Sequence, residues 1–409
     1  MPIVCINYND LVAAVNNNDD GPNPVGSVVA ESISSAFGSD DSASLGIVAI
    51  TNVPGLEEAR MRLLPLGHRL ASLDREALEE ITVPESQYQC GWSHGREKLV
   101  GDRPDLAKGS FYANPICEDL LEVMMERRRY ISDSRNKNDS IESALKWDEC
   151  PHSELQDEDL VRLAKSCPGF YHPNVWPKDC LPELETAFTD CGKLIHQVGI
   201  MVANCCDRYV ADICPGYKPQ LERTLRHSKC CKGRLLHYFP AAETSDEPEE
   251  AFDSWCGWHN DHGSLTGLLP CLYVDNVTDE IVESPDPVAG LYIKSRNGDL
   301  VKATLPDGAI GFQIGETAQV QTGGVLQATP HAVKGLTGTA SGVSRETFAV
   351  FMEPEYHSSM ALPEGRTLED TQCAGAEEWL PSSVRTLRSR WKPKMNFGEF
   401  SEATFAAFH

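Results

Sequence analysis

Three short segments constrain this chain more than anything else in it: Trp258-His259-Asn260-Asp261-His262-Gly263, then Thr329-Pro330-His331, then Ser344-Arg345-Glu346-Thr347. In a β-strand, alternate side chains share a face. A strand within 254–269 therefore turns His259 and Asp261 together into one cavity. His331 lies too far downstream to share that strand and must come from another. Arg345 follows after a gap long enough for a turn and the start of a further strand, and Arg345 and Thr347 again share a face. The run Thr347-Phe348-Ala349-Val350-Phe351 has the β-branched and aromatic content of a buried strand.

Two imidazoles and one carboxylate form the facial ligand set of non-haem Fe(II) sites, which leaves coordination positions open for other molecules. A lone His or Asp in a strand is more often a hydrogen-bonded structural residue. The ordered set His259, Asp261 and His331 reads as a metal site. Strand alternation turns His262 away from that face, so it reads as a supporting residue. Of the other histidines, His237 and His94 are candidates for the pocket, and His227 reads as a satisfied surface or core histidine.

The matching pieces extend further: Leu235-Leu236-His237-Tyr238-Phe239-Pro240, Trp258 to Thr266, Gly311-Phe312-Gln313-Ile314-Gly315-Glu316, Thr329-Pro330-His331 and Arg345 to Phe351. In this order the chain resembles the 2-oxoglutarate- and Fe(II)-dependent dioxygenases of the isopenicillin-N-synthase-like group. The likeness is close over about 230–354 and thinner over about 45–230. It implies a double-stranded β-helix, or jelly roll, with Fe(II), O2 and 2-oxoglutarate, and ascorbate as a candidate reductant. It also implies that His259, Asp261 and His331 hold the metal, and that no catalytic residue beyond these ligands is needed. Arg345, a planar and always charged fork, would bind the far carboxylate of 2-oxoglutarate. Thr347 would add a hydroxyl donor, and His237 is a further co-substrate candidate. Oxidative decarboxylation to succinate and CO2 would drive hydroxylation of a small organic molecule. Tyr238, Trp258, Trp92, His94, Phe111 and Tyr112 are candidate substrate residues, although buried aromatics are more often core.

Some positions depart from the family pattern. Its usual Arg-x-Ser is Arg345-Glu346-Thr347 here, which keeps the hydroxyl. Where plant members often read Asn-Tyr-Tyr-Pro, this chain reads His237-Tyr238-Phe239-Pro240, which argues against co-substrate binding by Phe239. Asp261 is retained, whereas its loss to a small residue would have suggested a halogenase. Two other readings stay open. One is an iron oxidase on the same fold that does not use 2-oxoglutarate; the other is a non-catalytic binding protein on this scaffold.

Composition sets the remaining bounds. Among 409 residues, 36 are basic and 61 acidic, a formal charge of −25. Such a balance disfavours nucleic-acid partners, whose phosphates need a basic face. The basic stretches Arg127-Arg128-Arg129 and 385–394 read as solvated helix faces. The 15 cysteines include no C-x-x-C, and adjacent pairs such as Cys205-Cys206 and Cys230-Cys231 suit buried thiols in a reducing compartment. No run of eighteen apolar residues occurs, and the start lacks a signal-peptide pattern, so a cytoplasmic protein with no membrane span is expected.

The expected fold class is α+β, a jelly-roll core with a helical N-terminal region and a C-terminal extension. The chain divides into a polar leader (1–44), a mostly helical region (45–230), the catalytic core (231–354) and the extension (355–409). The leader reads as an extension or mobile arm. A strand is expected over Gly46–Val53. A helix is expected over Leu56–Ile81, broken or kinked at Pro65. Residues 131–175 read as loops and short helices. Pro182 opens a long helix with a buried stripe of Leu184, Phe188, Cys191, Ile195, Val198 and Val202. The acidic insert Asp275–Ala289 reads as a surface loop or a lid, and 385–408 as a helix that packs back.

Overall fold

The computed structural model describes residues 2–16, 24–39, 43–96, 104–137, 155–240, 256–336, 342–372, 380–381, 384 and 386–408. Its strands are β1 (Val4–Asn7), β2 (Ile47–Thr51), β3 (Gly91–His94), β4 (Lys108–Ala113), β5 (Cys231–Tyr238), β6 (Cys256–His259) and β7 (Leu265–Leu268). They continue with β8 (Leu272–Asp275), β9 (Ile281–Val282), β10 (Gly290–Lys294), β11 (Leu300–Lys302), β12 (Ile310–Ile314), β13 (His331–Lys334) and β14 (Val343–Met352). The helices are α1 (Tyr8–Asn16), α2 (Pro24–Phe37), α3 (Leu56–Ala71), α4 (Arg75–Glu80), α5 (Leu120–Lys137) and α6 (Asp157–Ser166). After them come α7 (Pro168–Tyr171), α8 (Glu183–Ile213), α9 (Leu221–His227), α10 (Glu316–Gln321), α11 (Leu387–Arg390) and α12 (Phe397–Phe408).

Two sheets form the core. The major sheet runs β1-β2-β12-β7-β14-β5-β4-β3, with β8 on β14 and β9 on β8; the minor sheet runs β11-β10-β13-β6. Pairing is antiparallel except for β1 on β2. The jelly-roll expectation is met, with a helical layer added outside the major sheet.

Strand alternation sorts the major sheet into two faces. Ile47, Leu236 and Tyr238 face inward and meet Leu291, Ile293 and Val333 of the minor sheet. Their neighbours Val48 and Leu235, with Phe312, Phe348 and Val350, face outward against α3 and α8. There Leu184, Phe188, Cys191, Ile195, Val198 and Val202 of α8 form the expected stripe, all buried. Each fully buried large side chain contributes about 1.5–3 kcal/mol. Close approach of α8 depends on Gly233 and Gly267, where a Cβ would strike Phe188 and Ile195.

Several expectations need correction. Residues Val4–Asn7 are not part of a free extension: they add an edge strand to the major sheet, and α1 and α2 pack beside it, with Leu11, Ala14 and Ile33 buried. Residues 17–23 and 40–42 of that leader lie outside the described residues. Pro65 does not break α3, which runs through it. The missing amide costs about 3 kcal/mol, but Leu63, Leu64, Leu66 and Leu70 are buried on the sheet face and hold the helix. Arg127 is no solvated helix residue: it is buried, pairs with Glu355 at 2.7 Å and donates to the His227 carbonyl. Arg128 pairs with Asp157.

The helix expected over 56–81 is two, α3 and α4, parted at 72–74, and Arg390 of the stretch 385–394 is buried against Glu316 rather than solvated; other parts of the reading match. The strand expected at 46–53 is β2, and the C-terminal helix packs back through Trp391, Phe397 and Phe400 onto Val320 and Met360. Residues 131–137 continue α5, residues 138–154 lie outside the described residues, and α6 and α7 follow. The insert over 275–289 pairs β9 with β8, its Asp279 reaches His68 on the helical side, and its Val282 and Ala289 pack on the inner cluster with Tyr273. Among the described residues, thirteen cysteines are free thiols and no helix is long and apolar enough to cross a membrane.

Candidate metal centre

His259 and His331 are direct cross-strand partners on β6 and β13 of the minor sheet. Their rings stand 4.3 Å apart between centroids. Asp261 follows two residues after His259, beyond the end of β6, so the strand expected to hold both ligands is shorter than its spacing suggested. The carboxylate still turns to the same place: its Oδ1 is 3.9 Å from His259 Nε2 and 3.8 Å from His331 Nε2. One ligand atom from each residue lies within 4.8 Å of the others.

The donor set suits a divalent metal. His259 Nδ1 lies 2.8 Å from the Gly257 carbonyl and His331 Nδ1 lies 3.3 Å from the Thr329 carbonyl. Each carbonyl takes an Nδ1 proton, which leaves Nε2 as a lone pair facing Asp261. Asp261 Oδ2 is buried with no hydrogen-bond partner. A buried carboxylate with Oδ1 facing two imidazole lone pairs and Oδ2 unpartnered is what a cation would satisfy. His259 keeps 36% of its side chain exposed, so the centre is reachable from solvent.

Electrostatics agree for two of the three ligands. Burial, helped by the charge of His259, pushes His331 down to about 4, the neutral form a metal needs. Burial opposes ionisation of Asp261, but His331 and His259 outweigh it and hold the carboxyl below its usual range. His259 goes the other way, to about 9. Burial opposes that rise, and the Cys256 thiol 3.8 Å from Nδ1 more than offsets it. A metal at Nε2 competes with a proton there.

The loop carrying Asp261 is pinned from two sides. The first turn of α10 donates Glu316 N–H to the Asp261 carbonyl at 2.8 Å and Thr317 N–H to the Gly263 carbonyl at 3.1 Å. The Glu316 carboxylate accepts from Asn260 Nδ2 at 3.2 Å and from both Arg390 Nη atoms at 2.7 and 2.6 Å. His262, as expected, points away from the ligands: it sits 3.1 Å from Ser401 Oγ and stacks on Phe397. The C-terminal helices therefore brace the ligand loop. No local motif marks Glu316 or Arg390 for this task, because their pairing spans the length between α10 and α11.

Arg345 and Thr347 lie on the inward face of β14, opposite to Glu346, Phe348 and Val350. Arg345 is 5% exposed, and its Nε and Nη1 are buried without partners. Its carbon Cζ stands 4.9 Å over the Tyr238 ring. Burial opposes its charge, but Cys271, Tyr238 and Tyr273 outweigh it and keep the guanidinium ionised. The Thr347 hydroxyl donates to the Leu269 carbonyl at 3.2 Å, so its proton is already engaged.

Other expected pocket residues separate by face. Tyr238 faces inward beside Arg345. Tyr112 also faces inward, with the Arg234 guanidinium 5.0 Å from its ring. Trp258, half-buried, alternates with His259 and turns from the ligand face. His237 does not face the cavity: it is the cross-strand partner of Glu346 and points to the helical side, where its Nδ1 is 2.8 Å from Glu346 Oε1. It is separated from Arg345 by the sheet itself. Phe111 packs on Trp176 and Phe188 in the outer core. Trp92 belongs to that core, and the ring of His94 stacks near Phe239 at 4.6 Å on the same side. A one-residue change of parity puts all four beyond the cavity. His227 is exposed and bonds the Arg223 carbonyl within α9.

No known protein-family profile and no curated protein sequence matches the chain. Solved structures do. A full-length Neurospora crassa protein, in complex with alpha-KG and thymine, aligns with TM-score 0.60 at 17% identity over 100% of this chain and 97% of that one. A Caulobacter crescentus protein assigned to the 2OG-Fe(II) oxygenase family gives 0.59 at 16% identity, over 100% and 99%. A rice dioxygenase for auxin oxidation gives 0.53 at 14%, over 99% and 95%. The fold is thus the double-stranded β-helix of 2-oxoglutarate/Fe(II) oxygenase structures, as the sequence resemblance implied.

Proposed function

We propose that this chain, which has the fold of the 2-oxoglutarate/Fe(II) oxygenases, is itself an Fe(II)- and 2-oxoglutarate-dependent dioxygenase that hydroxylates a small organic molecule. The observation that carries the reading is the pairing of two unmet needs on the inner side of one jelly roll. A His259–Asp261–His331 cluster has an orphaned carboxylate oxygen, and a buried guanidinium, Arg345, has two orphaned N–H groups. A cation answers the first and a carboxylate the second. The chemistry such an iron supplies when bound is the reaction of substrate, O2 and 2-oxoglutarate to hydroxylated substrate, succinate and CO2.

The residues of the chain have defined parts in this reading. His259, Asp261 and His331 hold the metal on one side and leave the other side open. Arg345 takes the far carboxylate of 2-oxoglutarate through its fork, with Tyr238 covering the guanidinium face. Thr347 contributes as an acceptor while its proton stays on Leu269, and as a donor only after rotation about Cβ–Oγ. Tyr238 and Tyr112 supply aromatic contact area toward a substrate.

Replacing Arg345 by Lys is expected to raise the apparent KM for 2-oxoglutarate at least tenfold, since losing one charge-assisted hydrogen bond costs about 1.5–3 kcal/mol. Arg345→Ala should cost more. An unchanged KM in both variants, with succinate as the readout, would defeat the assignment.

The substrate is expected to be small. Arg127, Arg128 and Arg390, from the stretches that looked most basic, are engaged in internal ion pairs. This removes candidates for a phosphate-binding face on a chain of charge −25. Succinate release should therefore be screened against a metabolite library, single-stranded DNA and RNA under Fe(II), O2 and ascorbate at fixed salt. Thymine belongs in the library because the Neurospora protein binds it in its crystal structure. Turnover on an oligonucleotide with no small molecule active would overturn the substrate class. Substrate oxidation without succinate would point instead to the oxidase that does not use 2-oxoglutarate.

A further inference from the structure

His68, His237 and Glu346 come together on the helical side of the major sheet, across β14 and β5 from the inner cavity. They derive from α3, β5 and β14, and all are buried, at 7%, 2% and 0% exposure. One ligand atom from each lies within 4.8 Å of the others. The Glu346 carboxylate is half satisfied: Oε1 takes His237 Nδ1 at 2.8 Å and the Ser344 hydroxyl at 2.9 Å, while Oε2 is buried with no partner. His68 Nε2 lies 3.0 Å from Asp279 Oδ1, an acceptor that draws the ring proton to Nε2. That leaves a lone pair on His68 Nδ1, which is also buried and unpartnered.

Two acceptors thus converge in a buried pocket with no donor between them, an arrangement that is costly unless a cation answers it. The surroundings have the outer features of a metal site. A carboxylate holds the far nitrogen of one imidazole, and a hydroxyl holds the acid ligand. The carboxylate packs close against α3, where a Cβ on Gly67 would lie 2.6 Å from Glu346 Oε2. We propose that His68, His237 and Glu346 bind a second divalent ion, one of the zinc class, which clamps α3 to β5 and β14. Two imidazoles and one carboxylate suit zinc and its first-row neighbours, whereas magnesium and calcium prefer oxygen alone. On binding, the His237 ring proton moves from Nδ1 to Nε2, which frees the Nδ1 lone pair beside Glu346 without net loss of a proton. Because Glu346 stands between Arg345 and Thr347, the clamp steadies the strand that carries both.

The test uses tag-free full-length protein, stripped by chelator and dialysed against Zn(II), with bound metal counted per chain. Wild type should hold two ions. The double variant His259→Ala/Asp261→Ala, which leaves the outer cluster intact, should hold one, and zinc should raise its Tm. Adding His68→Gln should bring the count to zero. Adding Asp279→Asn instead, at a side chain that is largely exposed, should weaken zinc binding about tenfold, as loss of an outer partner does. The proposal is overturned if His259→Ala/Asp261→Ala holds no zinc and its Tm is indifferent to it. It is equally overturned if the bound ion is unaffected by both His68→Gln and Asp279→Asn. Loss of the inner ion alone, with the outer one retained, would count against the inner centre and not against this site.

Discussion

Asp261→Ala is expected to abolish succinate formation, with a loss greater than the roughly 10–100-fold that removal of a mere outer partner costs a metal site. The carboxylate is the only anion among the three proposed ligands, so its removal leaves a dication facing two neutral imidazoles. The same change should cost the metal-free protein little, because the charge contact with His331 and His259 that holds the carboxyl low is offset by its unpartnered oxygen. Asp261 Oδ2 is buried without a partner, and removing an unsatisfied polar group relieves a penalty of about 1–3 kcal/mol. That combination separates a functional residue from a structural one. Succinate rates can be measured at saturating Fe(II) and 2-oxoglutarate, and unfolding can be followed in urea after chelation. A rate within tenfold of wild type would sink the inner metal centre. A large drop in apo stability would mean that Asp261 serves the fold.

Arg390→Ala is expected to be the most damaging substitution outside the ligands. Arg390 and Glu316 are each 3% exposed, and the guanidinium grips both carboxylate oxygens as well as Thr404 Oγ1. Truncation strands the Glu316 charge in the interior, which typically costs about 3–5 kcal/mol. That is a large part of the roughly 5–15 kcal/mol usual for a folded protein. The paired change Arg390→Met/Glu316→Gln removes both charges and should recover most of the loss. Since Glu316 also holds Asn260 between His259 and Asp261, Arg390→Ala should further weaken inner-site metal retention in the fraction that remains folded. Urea midpoints of the single and double variants measure the first effect, and dialysis against Fe(II) measures the second. A single variant within about 0.5 kcal/mol of wild type, the usual range for a surface change, would show that the pair carries no such weight.

Much of the fold was legible because its signals are local. The two-residue spacing of Arg345 and Thr347, with the apolar run that follows, reads directly as a strand, and that of His259 and Asp261 keeps the two side chains together although β6 ends at His259. The cross-strand register of His259 and His331 then puts the three ligand side chains together. The α8 stripe was legible for the same reason, since a helix repeats its buried face every three or four residues. The N-terminal strand was not. Val4–Asn7 is too short to announce itself beside polar neighbours, and it is a strand only because β2 offers it an edge. Pro65 misled in the opposite way, since the cost it imposes locally is outweighed by leucines that pack only in the folded chain.

The division between sequence and tertiary structure is sharpest around Arg345. Residue types and their order pointed to a candidate ligand set, the late arginine and the jelly roll, because metal chemistry and strand periodicity act over a few residues. Which side of the major sheet each neighbour faces was decided by the assembled sheet. There His237, Trp92, His94 and Phe111 turn to the helices, while Tyr238 and Tyr112 turn to the cavity. Pairing of β14 with β5 brings Glu346 to His237, and α3 then brings His68 to both. The Arg390–Glu316 brace likewise exists only after the C-terminal helices pack back. Such contacts join residues far apart in the chain through geometry that no local pattern encodes, so sequence specified the chemistry and the tertiary structure specified its neighbours.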